Sequence, residues 1–349
     1  MELRTPSTGC LSIPLAVYDQ PFTSDSDHIS YSSLDVIYNL LPPETSEAAT
    51  LAALAAGKHV VLDTLLAPSL ASARRILAAA SSAPNNARVF VSSARRNAPC
   101  FTDVFKAEVA SLERIHYVRC RGITGRSPAF VTPAGIPFTT VVQEAKGTDE
   151  NETAVSSSSS LRKAWDSLLR EVFKGQELTP ERVALRRFLT AAGCHDLSVL
   201  RDTLGVPESV SGISINVPFY SATFHYTDRT GHPFAVLWEA GVDDVSRCDA
   251  HLTVYAQGKT LSVEYDYPYH PRATPARVLV QQGADTKVHT SSLFESYAAL
   301  FKRLHRYLTT TAAAAADASP DDAVLDLRLF RMIFDQYDRQ CGTIRTPLG

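Results

Sequence analysis

No Gly-x-Gly triplet occurs anywhere in the 349 residues, and the 16 glycines are scattered. That removes the usual glycine loops that let backbone N–H groups approach a pyrophosphate at a helix N-terminus. Cysteine is scarce too. Cys10, Cys100, Cys120, Cys194, Cys248 and Cys341 form no Cys-x-x-Cys pair, so neither a zinc ribbon nor a dithiol motif is written in the chain. They read as small buried hydrophobes of a reduced compartment. His225, His232 and His251 make no recognisable triad, and no metal is expected. No apolar run approaches the roughly 18 residues of a membrane span. The opening stretch MELRTPSTGCLSIPLAVYDQ carries Glu2 and a short apolar run broken by Pro14, which makes a poor signal peptide. Net charge is −3 with both signs interspersed, so the basic face that nucleic acid requires is missing. The pairs Arg95-Arg96 and Arg186-Arg187 are isolated and read as solvated surface. The expectation is a cytoplasmic protein acting on a small molecule, with no nucleic-acid or membrane partner.

What is present is an ordered alternation. IPLAVYD (13–19) reads as a strand, LDVIYNLL (34–41) as a buried strand stopped by Pro42 and Pro43, and ETSEAATLAALAAG (44–57) as a helix closed by Gly57. HVVL (59–62), a helix over 68–82 and the strand ARVFVSSA (87–94) follow. Strand–helix alternation at this spacing builds a parallel sheet. After residue 100 the pattern changes: a helix from Cys100, an alternating strand over 114–123, and a Ser-rich run, ENETAVSSSSS (150–160), that reads as a mobile loop. Two helical stretches come next, the second opened by Thr179 as cap and Pro180 at the first helical position. From Ser211 six short alternating strands predict a largely antiparallel sheet, and two helices close the chain. The fold class is α/β followed by α+β, with a Rossmann-like parallel sheet over 1–98 and an α+β domain over 99–349 carrying a large sheet covered by helices on one face.

The segment LDVIYNLLPPETSEAATLAALAAGKHVVLDTLLAPSLASARRIL (34–77) resembles the Gfo/Idh/MocA family of glucose–fructose oxidoreductases and inositol dehydrogenases. RRNAPCFTDVFKAEVASLERIHYVRCRG, AAGCHDLSVLRDTLGVPESVSGISI and DDAVLDLRLFRMIFDQYDRQCGTI are similar to later family segments, in the family's order. The resemblance implies a dinucleotide-binding domain, an oxidoreductase activity, and a homodimer through the C-terminal sheet. It also implies functional positions, and most of these are altered. Where the family carries Glu-Lys-Pro after its strand, this chain has Asp63, Thr64 and Leu65. Of the family's Asp and His four residues apart, His195 is kept and Ala191 stands for the Asp. Ser46 replaces a His in the Pro-rich turn. The 33 residues before Leu34 are too few for the family's two opening units, so the dinucleotide domain is expected to be truncated and NAD(P) binding degenerate. Pro42 and Pro43 would contact a dinucleotide if one bound.

The candidate catalytic residues are therefore His195 and Asp63, with Thr64, Arg96, Asn97 and Tyr267 as candidate substrate contacts. His195 is expected at the C-terminal end of its helix. In EYDYPYHP (264–271), strand geometry would put Tyr265, Tyr267 and Tyr269 on one face, beside His270. Either they pack the sheet, or they form an aromatic wall for a planar substrate. Three functions stay open. The first is a small-molecule enzyme without a cofactor, His195 serving as acid or base in an isomerisation, elimination, cyclisation or hydrolysis, in the manner of specialised metabolism. The second is an NAD(P)-dependent oxidoreductase with a degenerate or wrongly assigned N-terminus. The third is a catalytically silent ligand-binding regulator.

Overall fold

The computed structural model describes residues 34–125, 152–245, 247–266, 274–310 and 319–344. The strand expected over 13–19 lies outside them, as do Tyr267, Tyr269 and His270.

Three strands, β1 (Val36–Asn39), β2 (His59–Asp63) and β3 (Val89–Ser92), form a parallel sheet in that order. Helices α1 (Pro43–Ala55) and α2 (Leu70–Ser81) make the crossovers. Pro42 and Pro43 end β1 and begin α1, because proline cannot extend a ladder but has a preset helical φ. Asn39 fastens that turn: its Nδ2 donates to Ser46 O (2.9 Å) and Thr50 Oγ1 (2.9 Å), and its Oδ1 accepts from Leu41 N. Gly57 closes the α1 region with φ +71°, the left-handed conformation glycine adopts without a Cβ clash.

A π-helical turn (Cys100–Phe105) leads into α3 (Lys106–Ser111) and then the long strand β4 (Ile115–Gly125). The expectation of a loop over 150–160 fails. Helix α4 runs Glu152–Val172 and includes the whole serine run. Once LRKAWDSLLREV has nucleated a helix, adding serines costs only their modest propensity deficit, far less than starting a new one. Next come α5 (Pro180–Phe188), a second π turn (Leu189–Gly193) and α6 (Cys194–Leu204). Thr179 caps α5 as expected, its side chain accepting from Arg182 N.

Seven further strands follow: β5 (Ser209–Asn216), β6 (Phe219–Thr227), β7 (Pro233–Asp243), β8 (Cys248–Ala256), β9 (Lys259–Tyr265), β10 (Ala276–Gln282) and β11 (Asp285–Ser291). With β4 they make an eight-stranded sheet in the order β11-β10-β9-β8-β4-β7-β6-β5. Only β4 and β7 pair in parallel. Helices α7 (Leu293–Thr309) and α8 (Pro320–Ile344) finish the described chain. One apolar core runs from Ala53 to Phe334 and joins both sheets. A smaller cluster of Val61, Phe90, Leu300, Leu304 and Tyr307 seats α7 on the parallel sheet.

The arginines read as solvated are not. Arg95, Arg96 and Arg186 are 9%, 8% and 3% exposed; only Arg187 stays outside, stacked over Trp165. Helix α6 is bolted to α8 by Arg201. Its Nε donates to Asp326 (2.5 Å), and Nη1 and Nη2 donate to the two oxygens of Asp322 (2.8 and 2.9 Å). Removing one partner of a buried pair strands the other without water. Asp326→Ala is therefore expected to lower unfolding free energy by about 3 kcal/mol. Arg331→Ala, which breaks only an exposed pair with Asp335, should change it by roughly 0.5 kcal/mol or less. Urea titration of the two variants distinguishes them.

Candidate active site

The cleft opens where the C-terminal edge of the parallel sheet meets one end of the large sheet, the usual ligand position for an open α/β sheet. Its lining includes Thr64 after β2, Ser93 and Arg95 after β3, and His195 on α6. Tyr265 and Asp266 at the end of β9, with Ser296 and Tyr297 on α7, complete the named part of the wall. The cleft is half open, with a cavity volume of about 50 Å³.

Thr64 and His195 meet inside. Thr64 Oγ1 lies 3.2 Å from His195 Nδ1, both groups buried, across 131 residues of sequence. On its other side Thr64 Oγ1 donates to Asp63 Oδ1 at 3.4 Å, and the same oxygen accepts from Ser92 Oγ at 3.2 Å. Read in one direction, His195 Nδ1–H donates to the threonine hydroxyl, which donates to the carboxylate. That order leaves the Nε2 lone pair as the imidazole's acceptor. Thr64 holds φ +59°. A β-branched residue in that region is strained by order 1–3 kcal/mol, and such strain persists where the surroundings fix it. Here Thr64 N donates to Ser92 O (2.8 Å) and its hydroxyl is pinned on both sides.

His195 does not stand at the end of its helix. It is the second residue of α6, directly after the π turn. A π turn inserts about one extra residue, which swings everything beyond it by about 100° around the axis. Gly193 fits this turn because a Cβ there would come within 3.1 Å of the Phe188 ring. Burial, with Arg95 nearby, pushes the imidazole down to about 3, so it is neutral at ordinary pH.

Next to it a buried ion pair sets the electrostatics. Arg95 Nη1 donates to Asp196 Oδ1 at 2.5 Å and Nη2 donates to Asp266 O at 3.1 Å. The guanidinium lies over the Tyr265 ring, 5.1 Å from its centroid. Asp196 reaches this position only because β4 carries glycine beneath it; a Cβ on Gly122 would fall 1.9 Å from Asp196 Oδ2. Burial raises the Asp196 carboxyl and pushes the Tyr265 phenol well up.

Of the expected contacts, Asp63, Thr64 and His195 come together. Arg96 and Asn97 do not join them. Arg96 points to the α6–α8 side, donating to Asp322 (2.6 Å) and lying 3.4 Å from Asp202. Asn97 Nδ2 donates to Ser93 O, and its Oδ1 accepts from Arg303 Nη1. Both line a separate, smaller cavity with Arg303 and Asp322 instead of the cleft that holds His195. Arg95 holds the place expected of Arg96. Its signal was present in the sequence, a polar SSARRN run directly after a buried strand, but which arginine faces the cleft depends on the turn. Tyr297 and Ser296 carried no local signal, since α7 is brought to the cleft from over 200 residues beyond Thr64.

A dinucleotide would need backbone donors at a helix start. Pro42 and Pro43 supply none, and Glu44 follows with a carboxylate. At α2, Ser69 Oγ already accepts from Ser72 N. Among the described residues, no three His, Cys, Asp or Glu side chains converge as a metal site. No described helix is long and apolar enough to cross a membrane.

No family model and no curated protein sequence matches the chain. Solved structures do. A biliverdin reductase from Synechocystis sp. PCC 6803, solved with biliverdin and NADP+, is 15% identical, with TM-score 0.54 over 90% of this chain and 83% of that one. A 3-ketoreductase from Actinomadura kijaniata, solved with NADP, is 11% identical, with TM-score 0.54 over 88% and 79%. An oxidoreductase from Agrobacterium radiobacter, solved with NAD+, L-tartaric acid and magnesium, is 11% identical, with TM-score 0.54 over 89% and 79%. The small parallel sheet followed by the large, mostly antiparallel one is the two-domain fold of the Gfo/Idh/MocA-type oxidoreductases.

Proposed function

We propose that the chain is a small-molecule enzyme of oxidoreductase-like fold that works by acid–base chemistry at His195, without hydride transfer. The observation that carries this reading is the Asp63–Thr64–His195 chain at the cleft, its Thr64–His195 link buried, occupying the place where the family has its lysine. The carboxylate and hydroxyl fix the ring's orientation. The Nε2 lone pair takes a proton from a bound molecule and returns it elsewhere, as in an isomerisation or elimination. A neutral imidazole in a dry site is a weak base until negative charge develops beside it, so proton transfer is coupled to formation of the anionic intermediate. The absent lysine and the proline-blocked start of α1 support a cofactor-free reaction. The fold itself favours a second reading, an NAD(P)-linked oxidoreductase, because the solved neighbours above hold such cofactors. Included in the first reading is a homodimer through the outer face of the large sheet, where Tyr117 and Tyr255 stack and are 36% and 40% exposed.

Calorimetric titration with NADH and NADPH separates the two readings. No binding at millimolar dinucleotide is expected; micromolar affinity would overturn the cofactor-free reaction. Second, deuterium wash-in from heavy water into a panel of enolisable carbonyl compounds should be protein-dependent. His195→Gln should slow it by about 100-fold or more, as for loss of a general base. Thr64→Val, which only frees the ring, should slow it by roughly 10-fold, in line with losing one orienting hydrogen bond. Wash-in that survives His195→Gln would overturn His195 as the base, and no protein-dependent wash-in at all would leave a silent binder. Third, nitrogen-15 NMR should show His195 neutral from pH 8 down to about 4, with no inflection near the ordinary value of about 6.5. Because the folded pKa lies below the unfolded one, this residue destabilises the fold as pH falls from about 6.5 toward 3, where the unfolded chain alone takes the proton.

A further inference from the structure

One hydroxyl of the cleft is left unused by the Asp63–Thr64–His195 chain. Among the hydroxyls that line the cleft, those of Thr64, Thr274 and Ser296 already donate, to Asp63, Asp266 and Ser292 O. Those of Ser93 and Ser291 accept from the backbone N–H groups of Arg96 and Cys100. The Tyr265 hydroxyl is sealed from water. Tyr297 is neither engaged nor sealed. It lines the cleft, it is half-buried, and no hydrogen bond joins its hydroxyl to any described residue. Its place is fixed all the same. The Ser292–Glu295 capping box sets the start of α7, and Leu300 and Leu304 seat the helix on the parallel sheet. The Tyr297 ring stacks on Phe301, with centroids 6.3 Å apart at 28°. Asp63 and Tyr38, near the ends of β2 and β1, lie close enough to act on the phenol. Burial first, and then those two groups, push it up to about 12, so it stays a protonated donor at ordinary pH.

We infer that the Tyr297 hydroxyl receives the oxygen of the molecule on which His195 acts, and that this molecule is an enolisable carbonyl compound. The substrate class follows from a neutral base and a neutral donor lining one cleft. Proton removal beside C=O moves the C–H electron pair into a C=C bond and the C=O π pair onto oxygen, while the proton goes to His195. Negative charge therefore develops on the oxygen, where a hydroxyl already held in place needs no reorganisation to meet it. Tyr297 strengthens its hydrogen bond to that oxygen and keeps its own proton. Return of the proton to the same carbon restores the ketone, and return to the far carbon of an extended enolate gives the isomer. No further reactant is consumed. An alcohol would use the donor poorly, because removing a proton from its carbon moves no electron pair onto oxygen. The inference rests on the acid–base reading of the cleft and gives it a substrate class and a second catalytic residue.

Acetone, cyclohexanone and acetophenone, each carbon-13 labelled at the carbonyl, test it on the full chain by infrared difference spectroscopy and by deuterium wash-in. For at least one of them the bound carbonyl stretch should be lower in the native protein than in Tyr297→Phe, because a hydrogen bond weakens C=O. His195→Gln should keep that difference. Tyr297→Phe should slow wash-in by about 100-fold, chiefly in kcat, as for one lost oxyanion donor. It should leave the urea midpoint unchanged, since the hydroxyl holds nothing in the fold. Equal carbonyl stretches with and without the hydroxyl, no saturable binding of any of the three ketones, or a lowered urea midpoint accompanying the losses overturns the proposal. The two readings fail separately. A Tyr297-dependent carbonyl shift without wash-in supports the contact and sinks only the proton transfer. Wash-in that His195→Gln abolishes and Tyr297→Phe leaves untouched keeps the acid–base reading and sinks this one.

Discussion

A guanidinium and a carboxylate removed from water together hold this cleft in shape. Arg95 arrives from the turn after β3 and Asp196 from α6, and they meet over Gly122 of β4, which has no Cβ to obstruct them. Each ion alone would be costly to bury, so each element is positioned by its need for the other. The consequences spread outward. The pair places Arg95 over Tyr265, and it fixes the residue beside His195. It also makes the imidazole's protonated form unfavourable, since a cation is already present and water is not.

The second constraint is the backbone of Thr64. A threonine forced to φ +59° is an unfavourable choice that glycine or asparagine would relieve. Its hydroxyl, however, links Asp63 to His195 Nδ1. Strain in the loop and a shared hydrogen bond occupy the same residue. Both π turns lie in the segments that feed the cleft, one leading from the Arg95 turn and one preceding His195. Local backbone irregularity is concentrated where side chains have to be re-aimed, as π turns commonly are.

Most elements were legible from periodicity because their apolar patterns are strong. β2 and β3 are continuous buried runs, and α5 announces itself with Thr179 and Pro180. The serine run failed since a loop-like composition cannot reveal that a neighbouring segment has already nucleated the helix it extends. Arg95 and Arg96 failed for a different reason. Charge predicts exposure on average, but a guanidinium with partners is buried, and partners such as Asp196, Asp202 and Asp322 lie 100 or more residues away.

The amino-acid sequence by itself determined the alternation that gives two sheets, the apolar faces that join them into one core, and the chemical types available at the family's altered positions. Those properties follow from short-range periodicity and from residue identity. Tertiary structure alone decided that Thr64 meets His195, that Arg95 and not Arg96 faces inward, and that α7 supplies the cleft's aromatic edge. The reason is geometric: a one-residue turn or a π insertion rotates side chains by a large angle, and only the packed sheets fix which rotation brings distant groups within hydrogen-bonding distance.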